Sequence, residues 1–106
     1  MYQVMVVDDE PMAASLIVNI IKRKYSNFDI MGTAYDGEEA LELMEKKGEP
    51  DVLITDIQMP VMNGLKLVEE TKKRYPEVLS VIVSGYHTLA PTEGENVDDR
   101  AEQVAE

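Results

Sequence analysis

The sequence predicts an α/β fold in which a parallel sheet is wrapped by helices on both faces, and three observations carry that expectation. Short apolar runs rich in Val, Ile and Leu recur along the chain, at YQVMVV (2–7), FDIMGTAYD (28–36), DVLITD (51–56) and VLSVIVS (78–84). Segments with apolar residues at helical spacing separate them, and the connections are short. A β-α-β-α-β-α-β alternation of this kind implies right-handed crossovers, and so parallel neighbours.

Residues 2–7 have the composition of a strand buried on both faces. The run ends in DDEP, where Pro11 suits the first turn of a helix and Asp9 or Glu10 is placed to cap it. From Met12 to Lys24 the apolar residues Ala13, Leu16, Ile17, Ile20 and Ile21 recur at helical spacing, and the basic KRK (22–24) falls in the last turn, where cations oppose the helix dipole. Residues 28–36 read as a second strand with Gly32 inside it, and Gly37 breaks the chain before a helix over 38–47 with acids first and lysines last. GEP (48–50) is a turn, 51–56 is a third strand with an acidic end, and IQMPVMNG (57–64) is a loop punctuated by Pro60 and Gly64. A third helix follows over 65–75, with Leu65, Val68 and Lys72, or Leu65, Glu69 and Lys72, along neighbouring rows. Pro76 closes it, and 78–84 is the fourth strand.

Residues 1–86 thus form one core domain, and 87–106 an atypical acidic tail. The core carries 15 acids against 9 bases, the tail 6 acids against Arg100 alone, for a net charge of -11. In the tail, Val97, Ala101 and Val104 fall at i, i+4 and i+7 behind Asn96, so a short helix over 97–105 and an unstructured segment are both open. An acidic body repels phosphate backbones, which argues against direct nucleic-acid binding. No apolar run approaches the roughly 20 residues of a membrane helix, and no signal-peptide pattern follows Met1. The absence of cysteine excludes disulfide and thiolate chemistry and fits a cytoplasmic location. The seven methionines are scattered and read as core filler.

Open parallel sheets build their sites at the carboxyl ends of strands, near the point where strand order reverses. Three strand ends here carry polar residues: Asp8 and Asp9 after the first strand, Asp56 after the third, and Ser84 after the fourth. Alone, each acid would be a helix cap or a strand end. Together they make a cluster that repels itself unless a cation joins it. All-oxygen ligation suits Mg²⁺, which takes one or two carboxylates, keeps several waters and accepts a phosphate oxygen. A carboxylate beside such a cation can accept a phosphoryl group as a mixed anhydride. Asp56 leads directly from a strand into a loop and is the expected nucleophile, with the Ser84 hydroxyl at the level of a phosphoryl oxygen.

VVDDEP, DVLITDIQMPVMNG and VIVSGY, in that order and spacing over 1–86, resemble the receiver domain of two-component response regulators, most closely receivers fused to AraC-type DNA-binding domains. The resemblance implies a flavodoxin-like (CheY-like) fold and a histidine kinase as partner. It implies Asp56 as the phosphorylated residue, Asp8 and Asp9 as the Mg²⁺ pair, the Gln58 backbone carbonyl as a further metal ligand and Ser84 as the switch hydroxyl. Met59-Pro60 and Gly64 match the family's loop after the phosphorylation site.

Such domains continue through a fourth helix, a fifth strand ending in Lys-Pro and a fifth helix. None of these is legible after Tyr86, and no lysine follows Lys73. The expectation is therefore sheet order 2-1-3-4, with the fifth strand and last helices missing or replaced, and an impaired output. Arg100 is a poor substitute for the family lysine, and His87 reads as a solvated loop residue. An edge at the fourth strand invites a homodimer or swapped oligomer. Two other classes share part of this pattern. A haloacid dehalogenase-type hydrolase needs an Asp two positions after Asp56, where Gln58 stands. A non-catalytic, receiver-like interaction module is the alternative the residues leave open.

Overall fold

The computed structural model describes residues 1–83. Seven elements alternate along them: β1 (Tyr2–Val7), α1 (Pro11–Lys24), β2 (Phe28–Ala34), α2 (Gly37–Lys47), β3 (Val52–Asp56), α3 (Gly64–Arg74) and β4 (Leu79–Val83). The strands pair in parallel in the order β2-β1-β3-β4, the flavodoxin-like order expected. Ser84, His87, Arg100, the 87–106 segment and the question of a fifth strand lie outside the described residues.

β1 is the spine of the sheet, and Val4 to Val7 are all fully buried. Successive side chains point to opposite faces, so the strand feeds two cores. Val4 and Val6 join Ile54, Val83 and the α1 residues Ala13, Ala14, Ile17 and Ile21. Met5 and Val7 join Leu53, Ala34, the α2 residues Ala40, Leu41 and Met44, and Leu67 of α3. One helix thus covers one face, and two cover the other.

β2 carries an irregularity opposite Val4/Met5, where Ile30 and Gly32 are paired in succession and Met31 is passed over. Gly32 sits at this bulge with the Leu43 side chain against it. β2 stops at Ala34 rather than running to Asp36 because Asp36 is needed as the cap of α2. Its Oδ1 accepts from the Glu39 N–H at 2.8 Å, while Glu39 Oε1 accepts from the Tyr35 N–H at 2.6 Å. Two N-terminal donors are satisfied reciprocally.

The structure corrects three expectations from sequence. Neither Asp9 nor Glu10 caps α1 through its side chain: Glu10 holds the cap position without a side-chain bond, and Pro11 opens the helix. Leu16 is exposed and Ala14 is buried, because Ala13, Ile17, Ile20 and Ile21 centre the buried stripe of α1 near Ile17 and Leu16 falls at its far edge while Ala14 falls inside it. On α3 the rows through Leu65 lie off the core, with Leu65, Glu69 and Lys72 exposed and Val68 half-buried. Gly64, Leu67 and Thr71 face the core instead. Among the methionines, Met5 and Met44 are buried and Met31, Met59 and Met62 pack against the second core, whereas Met1 and Met12 are exposed.

Candidate functional site

Adjacent strands bring the acids together. β1 and β3 pair with Val7 opposite Thr55, so Asp8 and Asp56 leave the sheet at the same level. The Asp8 N–H donates to the Ala34 carbonyl at 3.1 Å, which continues the ladder for one more residue, and Asp8 Oδ1 accepts from the Glu10 N–H at 3.0 Å. That bond turns the chain into α1 and keeps both aspartates at the strand end. Asp8 and Asp56 are 1% and 2% exposed, and Asp9 is half-buried.

One carboxylate oxygen from each of Asp8, Asp9 and Asp56 lies within 4.8 Å of the others. Asp9 Oδ1 is buried and accepts no hydrogen bond among the described residues. Burying acceptor-only anions side by side is unfavourable unless something positive meets them. Oxygens on opposite sides of an octahedral Mg²⁺ stand about 4.2 Å apart, at about 2.1 Å each from the ion. Adjacent oxygens stand about 3.0 Å apart on the same ion, so three oxygens already within 4.8 Å of one another need only small side-chain rotations to meet one hard divalent cation. Three of the cations of α3 are engaged with acids of the same helix. Lys66 pairs with Glu69 at 3.1 Å and with Glu70 at 3.5 Å, while Lys73 and Arg74 pair with Glu70. The hydrogen bond and charge of Glu69 raise the pKa of Lys66, and Lys66 in turn lowers that of Glu69.

Gln58 is exposed, two residues beyond Asp56 in the connection to α3. That connection is held by backbone contacts. The Gly64 N–H donates to the Ile57 carbonyl at 2.8 Å, and the Gly37 N–H at the start of α2 donates to the Met62 carbonyl at 3.2 Å. Between them, the Met62 N–H donates to the Pro60 carbonyl at 2.7 Å, with Val61 at φ 67°. An i→i+2 bond around a positive φ is a γ-turn of the rare strained kind, and it is costlier for a β-branched residue. The Thr55 hydroxyl donates to the Asp56 carbonyl at 2.9 Å. Asn63 caps α3, its Oδ1 accepting from the Lys66 N–H at 2.9 Å.

The structure therefore gathers Asp8, Asp9 and Asp56. It sets Gln58 in the adjoining loop and pairs Asp56 with Val83 across the sheet. Ser84, next in sequence, lies outside the described residues. Sequence reasoning passed over Gly37, Val61 and Met62, which shape the loop. Gly37 gave a signal only as a chain break, and Val61 gave none, because nothing in its type announces a positive φ.

Among the described residues no helix is long and apolar enough to cross a membrane. The family model for the response regulator receiver domain matches residues 4–104. The chain is 33% identical over 86 residues to the uncharacterized transcriptional regulatory protein YesN of Bacillus subtilis (strain 168), a match covering 81% of this chain and 23% of that protein. It is 35% identical over 83 residues to a protein-glutamate methylesterase/protein-glutamine glutaminase 3 of Hahella chejuensis, covering 78% of this chain and 23% of that one. The crystal structure of a two component transcriptional regulator AraC from Clostridium phytofermentans superposes with a TM-score of 0.72 at 33% identity, over 89% of this chain and 70% of that one. The chain thus spans just under a quarter of the length of these curated relatives.

Proposed function

Since the chain belongs to the response regulator receiver domain family, we propose that Asp56 accepts a phosphoryl group from the phosphohistidine of a partner histidine kinase. The observation that carries this reading is the convergence of the Asp8, Asp9 and Asp56 carboxylates within 4.8 Å at the carboxyl ends of β1 and β3. An Asp56 carboxylate oxygen attacks phosphorus, a P–O bond forms, the P–N bond of the donor breaks, and its electron pair leaves with the imidazole nitrogen. Asp8, Asp9, Asp56 and the Gln58 carbonyl would hold Mg²⁺, which supplies charge neutralisation for the phosphoryl oxygens when bound. Burial of Asp8 and Asp56 limits water around the acceptor, and the pairing of β1 with β3 holds the two at a fixed separation. Ser84 would donate its hydroxyl to a phosphoryl oxygen. The role is that of a signalling phosphoacceptor working in the cytoplasm, where its kinase would present the donor group, and not of an enzyme acting on a separate substrate.

Residues 74–106 contain no lysine, so no residue among them is assigned as the cation that the family places on the phosphoryl group. Labelling is therefore expected to be slow and the output impaired, since a phosphate here has little to pull on. The test is intact-mass spectrometry after treatment with a small acyl phosphate and Mg²⁺. Slow addition of one phosphoryl group, absent in Asp56→Asn and in EDTA, supports the reading. Rapid stoichiometric labelling would remove the argument from the lysine. No labelling at all would favour the non-catalytic interaction module. Among the described residues β4 pairs only with β3, and self-association through that edge is proposed with it. A monodisperse monomer in sedimentation at high micromolar concentration would exclude that association.

A further inference from the structure

We propose that Gly37 is a positioning residue for the metal site, acting through Met62 on the loop that carries Gln58; the inference rests on the phosphoacceptor reading above. Gly37 opens α2, on the face of the sheet opposite α1, and touches none of the three acids' motifs in sequence. It nevertheless meets the 57–63 loop directly, at Met62. Its N–H donates to the Met62 carbonyl, and the place a Cβ would occupy lies 2.7 Å from Met62 Cγ, 2.8 Å from Met62 Cβ and 2.9 Å from the Met62 carbonyl oxygen. Real carbon contacts do not reach those distances, and two of the three atoms belong to the backbone or sit next to it. Any side chain at 37 therefore drives the loop outward rather than swinging a flexible end aside.

Little slack exists to absorb that push. The loop is closed at its far end by the Gly64 N–H on the Ile57 carbonyl, and its centre is already in the strained γ-turn at Val61. Displacement at Met62 must pass along Val61, Pro60 and Met59 to Gln58, four residues back along the chain, or break the closing bond. Asp8 keeps its bond from the Glu10 N–H, and Asp8 and Asp56 keep their places at the ends of β1 and β3, whose pairing does not involve the loop. The expected result is a loop carbonyl lost from the metal's coordination shell while the carboxylates stay.

The test compares wild type, Gly37→Ala and Ile20→Ala, the last a core truncation on the far side of the sheet that lowers stability without touching the loop. Each is titrated with Mg²⁺ well below its Tm and followed by backbone amide NMR shifts. Gly37→Ala is expected to weaken Mg²⁺ affinity at least tenfold and, without metal, to shift the amides of residues 57–63. Ile20→Ala is expected to lower Tm but leave affinity within twofold of wild type. Equal affinity in wild type and Gly37→Ala overturns the inference alone. Equal loss in both variants also overturns it, since stability would then be the cause. A wild type that takes up no Mg²⁺ overturns the metal reading itself and the inference with it.

Discussion

Replacing Gly64 with alanine tests whether the loop after Asp56 is set by backbone contact. A Cβ on Gly64 would fall well inside contact distance of the Asp56 carbonyl oxygen, 2.9 Å from the Asp56 carbonyl carbon and 3.0 Å from Ile57 Cα. All three are main-chain atoms at a buried strand end, so no rotamer change relieves the clash. Either α3 shifts outward or the Asp56 peptide tilts. The first weakens the Gly64 N–H bond to Ile57 and the packing of Leu67; the second disturbs the Thr55 hydroxyl bond. Overpacking of this kind costs about 1–3 kcal/mol, and a weakened buried hydrogen bond adds about 1 kcal/mol. The alanine recovers about 0.4–1 kcal/mol by restricting the unfolded chain. The net expectation is a loss of about 1–3.5 kcal/mol, or a Tm lower by roughly 5–25 °C for a domain of this size. Urea unfolding followed by far-UV circular dichroism measures it. A loss below about 0.5 kcal/mol, the usual range of an ordinary surface substitution, would refute the claim that the main chain at Asp56 has no room.

Val61→Gly should raise stability by about 0.5–1 kcal/mol, since the strain of a β-branched residue at positive φ exceeds the entropy glycine returns to the unfolded chain; equal or lower stability in the same urea assay would show that the γ-turn is not strained. Asp36→Ala should cost about 1 kcal/mol through loss of the α2 cap, and amide exchange should accelerate at Glu39, the donor to that cap, before it does in the core strands. Glu69 should titrate below the ordinary glutamate range, because the hydrogen bond and charge of Lys66 favour its ionised form. The sign follows: any stability from this pair is present above the unfolded-state pKa of Glu69 and is lost as pH falls through its lowered folded value. Carboxyl NMR titration reads the shift directly, and both residues are fully exposed, so added salt or Lys66→Met should move it back toward normal.

The parts of the fold legible in sequence were those with a period or a punctuation mark. β1, α2 and β3 announced themselves through an unbroken aliphatic run, acids-first helix formers, and an aliphatic run ending in Asp56. The parallel sheet followed from the alternation of elements, its order from the resemblance to receiver domains, and the acid cluster from the carboxyl ends of strands on which such sheets build their sites. What misled were details that depend on packing angle. α3 is so polar that only Leu67 and Thr71 mark its core side, and a row drawn from Leu65 runs along solvent. Leu16 is exposed for a similar reason: the buried stripe of α1 runs through Ala13, Ala14, Ile17, Ile20 and Ile21, and Leu16 lies at its edge. The loop geometry at Val61 and Met62 was not legible, because it comes from contacts with Gly37 and Gly64 that lie far off in sequence or ask only for the lack of a side chain.

That last feature bears on how such a site changes over time. The loop between Asp56 and α3 is fixed by main-chain bonds and by two positions that admit no Cβ, and Gln58, Pro60 and Val61 are exposed. Residues there can be exchanged for others of different charge or size while the path of the chain is kept. Variation at the tip of this loop would alter what a partner meets without disturbing where the acceptor carboxylate sits. Geometry and surface identity are separable here, and a lineage could retune one while inheriting the other.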